Sequence, residues 1–230
     1  MKRILIPTDF SEQAENALKV AAQIAKKHGS EIYVLNSLEL PSNLSNSGST
    51  GSMPESLFFI KLAEKQFEEL LKKPYLKDLL LHEAIIGHGE IFNDVSEVVK
   101  EKNIDLIIMG SHGTNGFMEM FIGSNTEKVV RTSKIPVLVI KNEHLEFKTD
   151  NFVYATDFSE ECKVSFEEAQ KFAEVTNSHL NLLYVNTPSE FKTSKKINKR
   201  IKDFLKDFNT EKINTHIYNA TSVEKGILNF

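Results

Sequence analysis

The chain has 230 residues, which is long for one small domain and suits two of ordinary size. Its composition, with 40% hydrophobic and 26% charged residues, is typical of a globular protein, and its net charge of −4 excludes the overall basic field that nucleic-acid binding requires. The single cysteine, Cys162, excludes an intrachain disulfide and favours a reducing compartment.

No segment of the sequence indicates export or membrane insertion. The apolar start of the chain is interrupted at Pro7, too early for a signal peptide, and no apolar run approaches the roughly 20 residues of a membrane span. We therefore expect a cytoplasmic protein with neither nucleic acid nor membrane as its partner.

Hydrophobic periodicity alternates between strand and helix through residues 1–140. Predicted strands lie at Ile4–Ile6, Ile32–Leu35, Leu81–Ile86, Ile104–Met109 and Pro136–Ile140. Predicted helices lie at Ser11–Lys27, Leu57–Leu71, Glu90–Lys102 and Ser124–Arg131, and the Ser-, Asn-, Gly- and Pro-rich residues 41–56 predict a loop. This alternation predicts an α/β fold, an open twisted parallel sheet with helices on both faces.

Part of this pattern recurs later in the chain. The segment Pro7–Glu12 returns as Ala155–Glu160, an offset of 148, and further strands are predicted at Phe152–Ala155, Leu180–Val185 and Asn214–Tyr218. By the third strand the offset is about 132, so the counterparts of Gly110 and Gly123 would fall beyond residue 230.

These offsets predict a tandem repeat whose second copy is incomplete. We expect a complete domain at residues 1–141, a linker at 142–150, and a second copy at 151–230 that lacks its glycine loop and its last two strands. An incomplete copy leaves a sheet edge uncovered, which predicts self-association through sheet edges or a chain cut short of its natural end.

The strongest functional signal is the glycine-containing segment Gly110–Ser124, which follows the fourth predicted strand. Glycines let backbone N–H groups approach an anion, and the helix that follows has the spacing of a capping box at Ser124 and Glu127. A helix N-terminus at the switch point of a parallel sheet favours phosphate binding. The alternative is an ordinary strand–helix connection with turn glycines.

The spacing Gly110-x2-Gly113-x9-Gly123-Ser124 resembles the ATP-binding signature of the universal stress proteins, as do the segments Ile4–Ser11, Glu127–Val130 and Ile135–Ile140. The resemblance spans residues 1–140 and the first half of the same domain again from 151. It implies strand order 3-2-1-4-5, a fold like that of the adenine nucleotide alpha hydrolases, and ATP as ligand, with or without Mg²⁺.

Carried over by position, the resemblance implies a binding site with a defined set of residues. Asp9 would meet the adenine or ribose, Ser37 the base and Gly110 the ribose, while amides of the later glycine segment would hold the phosphates. The full set is Pro7, Thr8, Asp9, Ser37, Met109, Gly110, His112, Gly113, Gly123, Ser124, Asn125 and Thr126.

Several residues have competing interpretations. Asp9 recurs as Asp157 in a copy without a glycine loop, so the alternative to nucleotide contact is that it caps the following helix. His112 has no evident carboxylate partner, His82, His88 and His112 lack metal-ligand spacing, and Cys162 is better explained as a packed or half-exposed helix residue than as a nucleophile. The basic stretch Lys192–Lys206 suits a helix that covers a sheet, or less readily one that lies on an anionic membrane.

Three functions remain open at this point. The first is an ATP-binding regulatory protein of the stress response, and the second is a slow ATPase or autokinase, although we identify no catalytic residue. The second is disfavoured because the sequence has no Gly-x4-Gly-Lys-Ser/Thr loop and no evident metal carboxylates. The third is a dimerisation scaffold that binds no nucleotide.

Overall fold

The computed structural model describes residues 1–38, 52–87, 89–111 and 123–230. The chain divides into two compact units, Met1–Phe147 and Lys148–Phe230. Among the described helices, none is long and apolar enough to cross a lipid bilayer.

The first unit is built on a five-stranded parallel sheet. Its strands are β1 (Arg3–Pro7), β2 (Glu31–Ser37), β3 (Leu81–Gly87), β4 (Leu106–Gly110) and β5 (Val137–Ile140). All neighbouring pairs are parallel, and the order is β3-β2-β1-β4-β5. The predicted fold class and strand order are therefore confirmed.

Within the described residues of the first unit, the helices between these strands are α1 (Glu12–His28), α2 (Ser52–Leu71), α3 (Ile91–Glu101) and α4 (Ser124–Thr132). A short 3-10 turn, Pro74–Leu76, follows α2. The loop predicted for residues 41–56 is wrong over its last part, because α2 already begins at Ser52. The polar and glycine residues of this segment show no helical hydrophobic periodicity, so the start of the helix could not be predicted from the sequence. Residues 41–51 lie outside the described part of the chain.

The central strands are buried because helices cover both faces of the sheet. All five residues of β4 are buried, and Leu5, Leu35 and Ile107 share a core cluster with Val98 of α3 and Val129 of α4. Ile4 and Ile6 point to the opposite face, since successive side chains alternate along a strand, and α1 packs there.

The second unit has a three-stranded parallel sheet in the order β6-β7-β8. The strands are β6 (Asn151–Ala155), β7 (His179–Asn186) and β8 (Ile213–Asn219), and the helices are α5 (Cys162–Thr176), α6 (Ser194–Leu205) and α7 (Val223–Asn229). A 3-10 turn, Pro188–Glu190, precedes α6. The apolar side of α6 is buried in the core of this unit through Ile197, Ile201 and Phe204.

Candidate functional site

The candidate site lies at the carboxyl edge of the first sheet, where β1 and β4 are neighbours. From β1 the chain continues to β2 on one side, and from β4 it continues to β5 on the other. Such a switch point leaves a crevice beyond the carboxyl ends of the two strands, because the connections leave in opposite directions. The first residues after β1, β2 and β4 therefore lie at the same edge of the sheet.

A hydrogen-bonded turn follows β1. The amide of Phe10 donates to Oγ1 of Thr8 at 3.0 Å, and the amide of Ser11 donates to Oδ1 of Asp9 at 3.0 Å. Ser11 then caps α1 by accepting from the amide of Ala14 at 3.2 Å. Asp9 is exposed, and its carboxylate holds this turn in shape.

The same turn recurs in the second unit. The amide of Phe158 donates to Thr156 Oγ1 at 3.0 Å, and the amide of Ser159 donates to Asp157 Oδ1 at 2.8 Å. Phe10 and Phe158 both have positive φ angles, 61° and 58°. The Thr-Asp-Phe-Ser turn thus has a structural role in both units, and contact between Asp9 and a nucleotide stays a prediction.

Asp157 has partners of its own beyond this turn. Arg200 Nη2 lies 3.2 Å from its Oδ2, and Cys162 Sγ lies 3.5 Å from its Oδ1. Burial raises the pKa of Asp157, but hydrogen bonds from Ser159 and Cys162 and the charge of Arg200 together lower it below its ordinary value. Cys162 is half-buried at the start of α5, in agreement with its interpretation as a packed helix residue.

The end of β2 contributes polar atoms beside this turn. Asn36 is buried and donates from Nδ2 to the carbonyl of Thr8 at 2.8 Å. Its Oδ1 and the Oγ of Ser37 are buried and have no hydrogen-bond partner among the described residues. Unsatisfied buried oxygens are uncommon and call for a donor. Sequence reasoning selected Ser37 but missed Asn36, whose signal is a polar residue closing an otherwise apolar strand.

Gly110 is fixed between the first turns of two helices. A Cβ on this residue would lie 2.7 Å from the carbonyl oxygen of Gln13 in α1. On its other side, Oγ1 of the buried Thr126 donates to the carbonyl of Gly110 at 2.9 Å. The glycine is therefore required for close packing, whatever contact it makes with a ribose. Met109 is buried within the core cluster, so its side chain is unavailable to a ligand.

The first turn of α4 differs from the predicted capping box. The N-cap is Gly123, and Ser124 is already the first helical residue. Glu127 pairs with Arg131 at 2.9 Å. The predicted capping box between Ser124 and Glu127 is therefore wrong. The cap position is set by the amide of Gly123, which donates to the carbonyl of Ser111 at 2.7 Å and so fixes where the helix begins.

This geometry shows which amides of α4 can meet an anion. Because Gly123 already donates to Ser111, phosphate contacts would come from Ser124 and Asn125. Both residues are exposed, and the first amides of a helix have no acceptor within it. The positive end of the helix dipole lies at the same place, next to Gly110 through Thr126.

The remaining predicted site residues are placed as follows. Pro7 and Thr8 are buried at the carboxyl end of β1. His112 and Gly113 lie outside the described residues. Over residues 1–38, 52–87, 89–111 and 123–230, no group of three or more His, Cys, Asp or Glu side chains is arranged to hold a metal ion.

Comparison with known proteins gives a consistent picture for the first unit. The family model of the universal stress protein family matches residues 1–141. Universal stress protein MJ0531 of Methanocaldococcus jannaschii is 31% identical over 152 residues, covering 63% of this chain and 85% of that protein. Universal stress protein MJ0577 of the same organism is 33% identical over 158 residues, covering 62% and 96%.

Solved structures match this chain over different fractions of its length. The structure of MJ0577 matches with a TM-score of 0.53 and 29% identity, over 62% of this chain and 97% of that one. A universal stress protein from Archaeoglobus fulgidus DSM 4304 matches with a TM-score of 0.67 over 99% of this chain and 81% of that one. At 22% identity, the second likeness establishes the fold alone.

Proposed function

The chain belongs to the universal stress protein family, and from this premise we propose that its first unit binds ATP and acts as a nucleotide-dependent regulator of the stress response. The nucleotide would lie at the carboxyl edge of the five-stranded sheet, with its phosphates at the N-terminus of α4. The base and ribose would lie toward the ends of β1 and β2, where Asp9 and Ser37 are found.

The observation that carries this proposal is the start of α4. Ser124 and Asn125 are exposed residues in the first turn of this helix, whose amides have no acceptor within it, and Thr126 anchors the helix to Gly110 at the switch point. An anion at this place gains hydrogen bonds from backbone N–H groups and the favourable end of the helix dipole. At the end of β2, Oδ1 of Asn36 and Oγ of Ser37 have no hydrogen-bond partner among the described residues, and a donor such as the amino group of an adenine would satisfy one of them.

A regulatory role fits this chemistry better than phosphoryl transfer. The sequence contains no Walker-type loop with its phosphate-binding lysine, and the residues proposed for the phosphates act through backbone amides. Such a site can hold a triphosphate without strongly stabilising a transition state. Whether Mg²⁺ accompanies the nucleotide is tested by titration with and without EDTA.

Isothermal titration with ATP tests the proposal through a substitution that removes one amide and keeps the helix. Gly123 has φ −58° and ψ 147°, the extended conformation that a residue before proline adopts, and proline is well tolerated at the first helical position. Ser124→Pro therefore deletes the first amide of α4 while leaving the helix in place. Ser124→Ala removes only the hydroxyl.

The second unit offers a matched control. Ser194 is the first residue of α6, and Thr193 before it has nearly the same geometry, φ −66° and ψ 148°. We expect Ser124→Pro to weaken ATP binding about 10- to 100-fold, the loss typical of one charge-assisted hydrogen bond, and Ser194→Pro to leave it unchanged. Equal affinity of Ser124→Pro and the wild type, or no binding by the wild type, would refute the proposal.

A phosphate-release assay separates the regulatory function from a slow ATPase. Wild-type protein saturated with ATP should release no more phosphate than the Ser124→Pro variant at the same protein concentration. Release that depends on Ser124 would show that the same site performs hydrolysis.

We also propose that the second unit repeats the first half of the first unit and that it self-associates through β6, in the cytoplasm that the single cysteine favours. β1 is paired on both sides, whereas no described strand pairs with the second edge of β6. Val153 in β6 is 44% exposed, and an apolar edge strand is a template for pairing.

Sedimentation velocity tests this second proposal. Val153→Lys should shift the protein from dimer to monomer, because a charge on an edge strand opposes pairing. The control, Thr215→Lys, places the same charge at an exposed residue of β8, the opposite edge strand, and should leave the dimer intact. A wild-type protein that stays monomeric at high concentration contradicts the proposal.

A further inference from the structure

The outer side of α6 carries a line of exposed lysines. Lys195, Lys199, Lys202 and Lys206 follow one another at intervals of four, three and four residues, which places them along one stripe of a helix. All four are exposed. They are held outward because the other side of α6 is buried in the core of the second unit.

Only one lysine of this stripe has an ion-pair partner among the described residues: Lys206 lies 4.0 Å from Asp207. Among the residues that the structure describes, none forms an ion pair with Lys195, Lys199 or Lys202. The stretch 192–206 contains seven basic residues and one acidic residue, although the whole chain has a net charge of −4. The positive charge is therefore a local feature of this helix.

The arrangement works against the stability of the helix itself. Lys195 and Lys196 lie in the first turn, where the helix dipole disfavours positive charge, and that turn has no acidic residue and no side-chain cap. Lys195 and Lys199 are four residues apart, a spacing at which like charges repel. A helix that only covered a sheet would gain stability from acidic residues at these positions, so the stripe fits a surface that binds an anionic partner.

Two neighbouring residues indicate what kind of partner this is. Phe191 is 67% exposed and directly precedes the basic stretch in the sequence, and an exposed aromatic ring suits the boundary between lipid headgroups and acyl chains. Arg200 donates hydrogen bonds to Asp157 and to the carbonyl of Phe158. Its guanidinium, the group best suited to binding phosphates or bases in a fixed geometry, therefore already has partners within the protein. The groups that remain for a partner are lysine ammonium groups on flexible side chains, which can contact negative charges without a fixed geometry.

From these observations we propose that the outer face of α6, together with Phe191, docks on an anionic phospholipid surface. A straight stripe on a convex helix meets a flat layer of negative headgroups along its whole length, and each lysine near such a surface adds to binding. The contact is peripheral, and it departs from the sequence-based expectation of no membrane partner. It involves the second unit and is independent of nucleotide binding.

Co-sedimentation of the full chain with vesicles tests this proposal. Vesicles of phosphatidylcholine alone are compared with equimolar phosphatidylcholine and phosphatidylglycerol, at about 0.05 M and about 0.5 M salt, which differ strongly in screening. We expect binding only to the anionic vesicles and only at low salt. Neutralising the stripe with Lys195→Gln, Lys199→Gln and Lys202→Gln should lower the partition coefficient on the order of 100-fold.

A matched control comes from α2. Lys61 and Lys65 in this helix and Lys72 just after its end are exposed, and changing all three to Gln alters the net charge by the same amount without touching α6. This control should bind like the wild type. Phe191→Ser should weaken binding while leaving its salt dependence unchanged, and circular dichroism verifies that every variant is folded.

Three outcomes would overturn the proposal. They are a wild-type protein that does not bind anionic vesicles at low salt, a control that loses as much binding as the stripe variant, and equal binding to neutral vesicles. Binding of a fluorescent single-stranded RNA that depends on the same lysines, without vesicle binding, would likewise assign the stripe to nucleic acid and reject a lipid partner.

Discussion

Replacing Gly110 by alanine would push a methyl group into the backbone of α1. The added Cβ would lie 2.7 Å from the carbonyl oxygen of Gln13 and 2.8 Å from its carbonyl carbon, well inside ordinary contact distance. Neither atom belongs to a flexible side chain. The first turn of α1 or the end of β4 must therefore move by several tenths of an ångström.

The loss of folding free energy can be estimated because the effect of the substitution is steric. Gly110 does not have a positive φ angle, so alanine is not disfavoured there by its backbone conformation. Overpacking of a well-packed interior costs about 1–3 kcal/mol. For a unit of this size, each kcal/mol lowers the melting temperature by roughly 2–4 °C, so we expect a fall of roughly 2–12 °C.

Thermal unfolding by circular dichroism measures this effect, with Gly29 as the comparison. Gly29 has a φ of 66° and no neighbour within 4 Å of an added Cβ, so a substitution there tests backbone strain without a steric clash. Gly29→Asn should be tolerated far better than Gly29→Ala, because Asn accepts the left-handed conformation, as Asn177 does at φ 59°. An unchanged melting temperature for Gly110→Ala would show that the close packing on α1 is not rigid.

Three further predictions concern other contacts. Thr126→Val should cost about 1–3 kcal/mol in urea denaturation, because it keeps the shape of the side chain and leaves the carbonyl of Gly110 without its donor. Asp157→Asn should destabilise the protein at pH 7 by no more than about 1 kcal/mol, since the pair with Arg200 is partly exposed. Because the folded pKa of Asp157 is lowered, this difference should be present above about pH 4 and disappear as the pH falls through the folded pKa, as denaturation at several pH values will show. Phe204→Ala should cost about 3–5 kcal/mol, since this ring is buried at the centre of the second core, and hydrogen exchange should locate the loss in the second unit.

Comparison of individual elements shows which features of the structure the sequence predicts. The strand order 3-2-1-4-5, implied by the resemblance, is confirmed, and α1 runs from the cap at Ser11 to Gly29 much as its apolar stripe predicts. The start of α2 was missed, because the residues from Ser52 onward carry turn-like composition rather than a helical stripe. Ser37 was selected for the site through the resemblance, whereas Asn36 was not.

The sequence alone determined the alternation of strands and helices, because side-chain spacing along a chain reflects the geometry of its backbone, and its motifs indicated the family. The candidate site at the carboxyl edge of the sheet stays a prediction. Only the tertiary structure decided which groups at that site are already used. Gly110 is held against Gln13, Thr126 bonds to Gly110, and the amide of Gly123 donates to Ser111. These contacts join residues of different elements. They could not be predicted from the sequence, because a close approach between two backbones does not produce a periodic pattern of residue types.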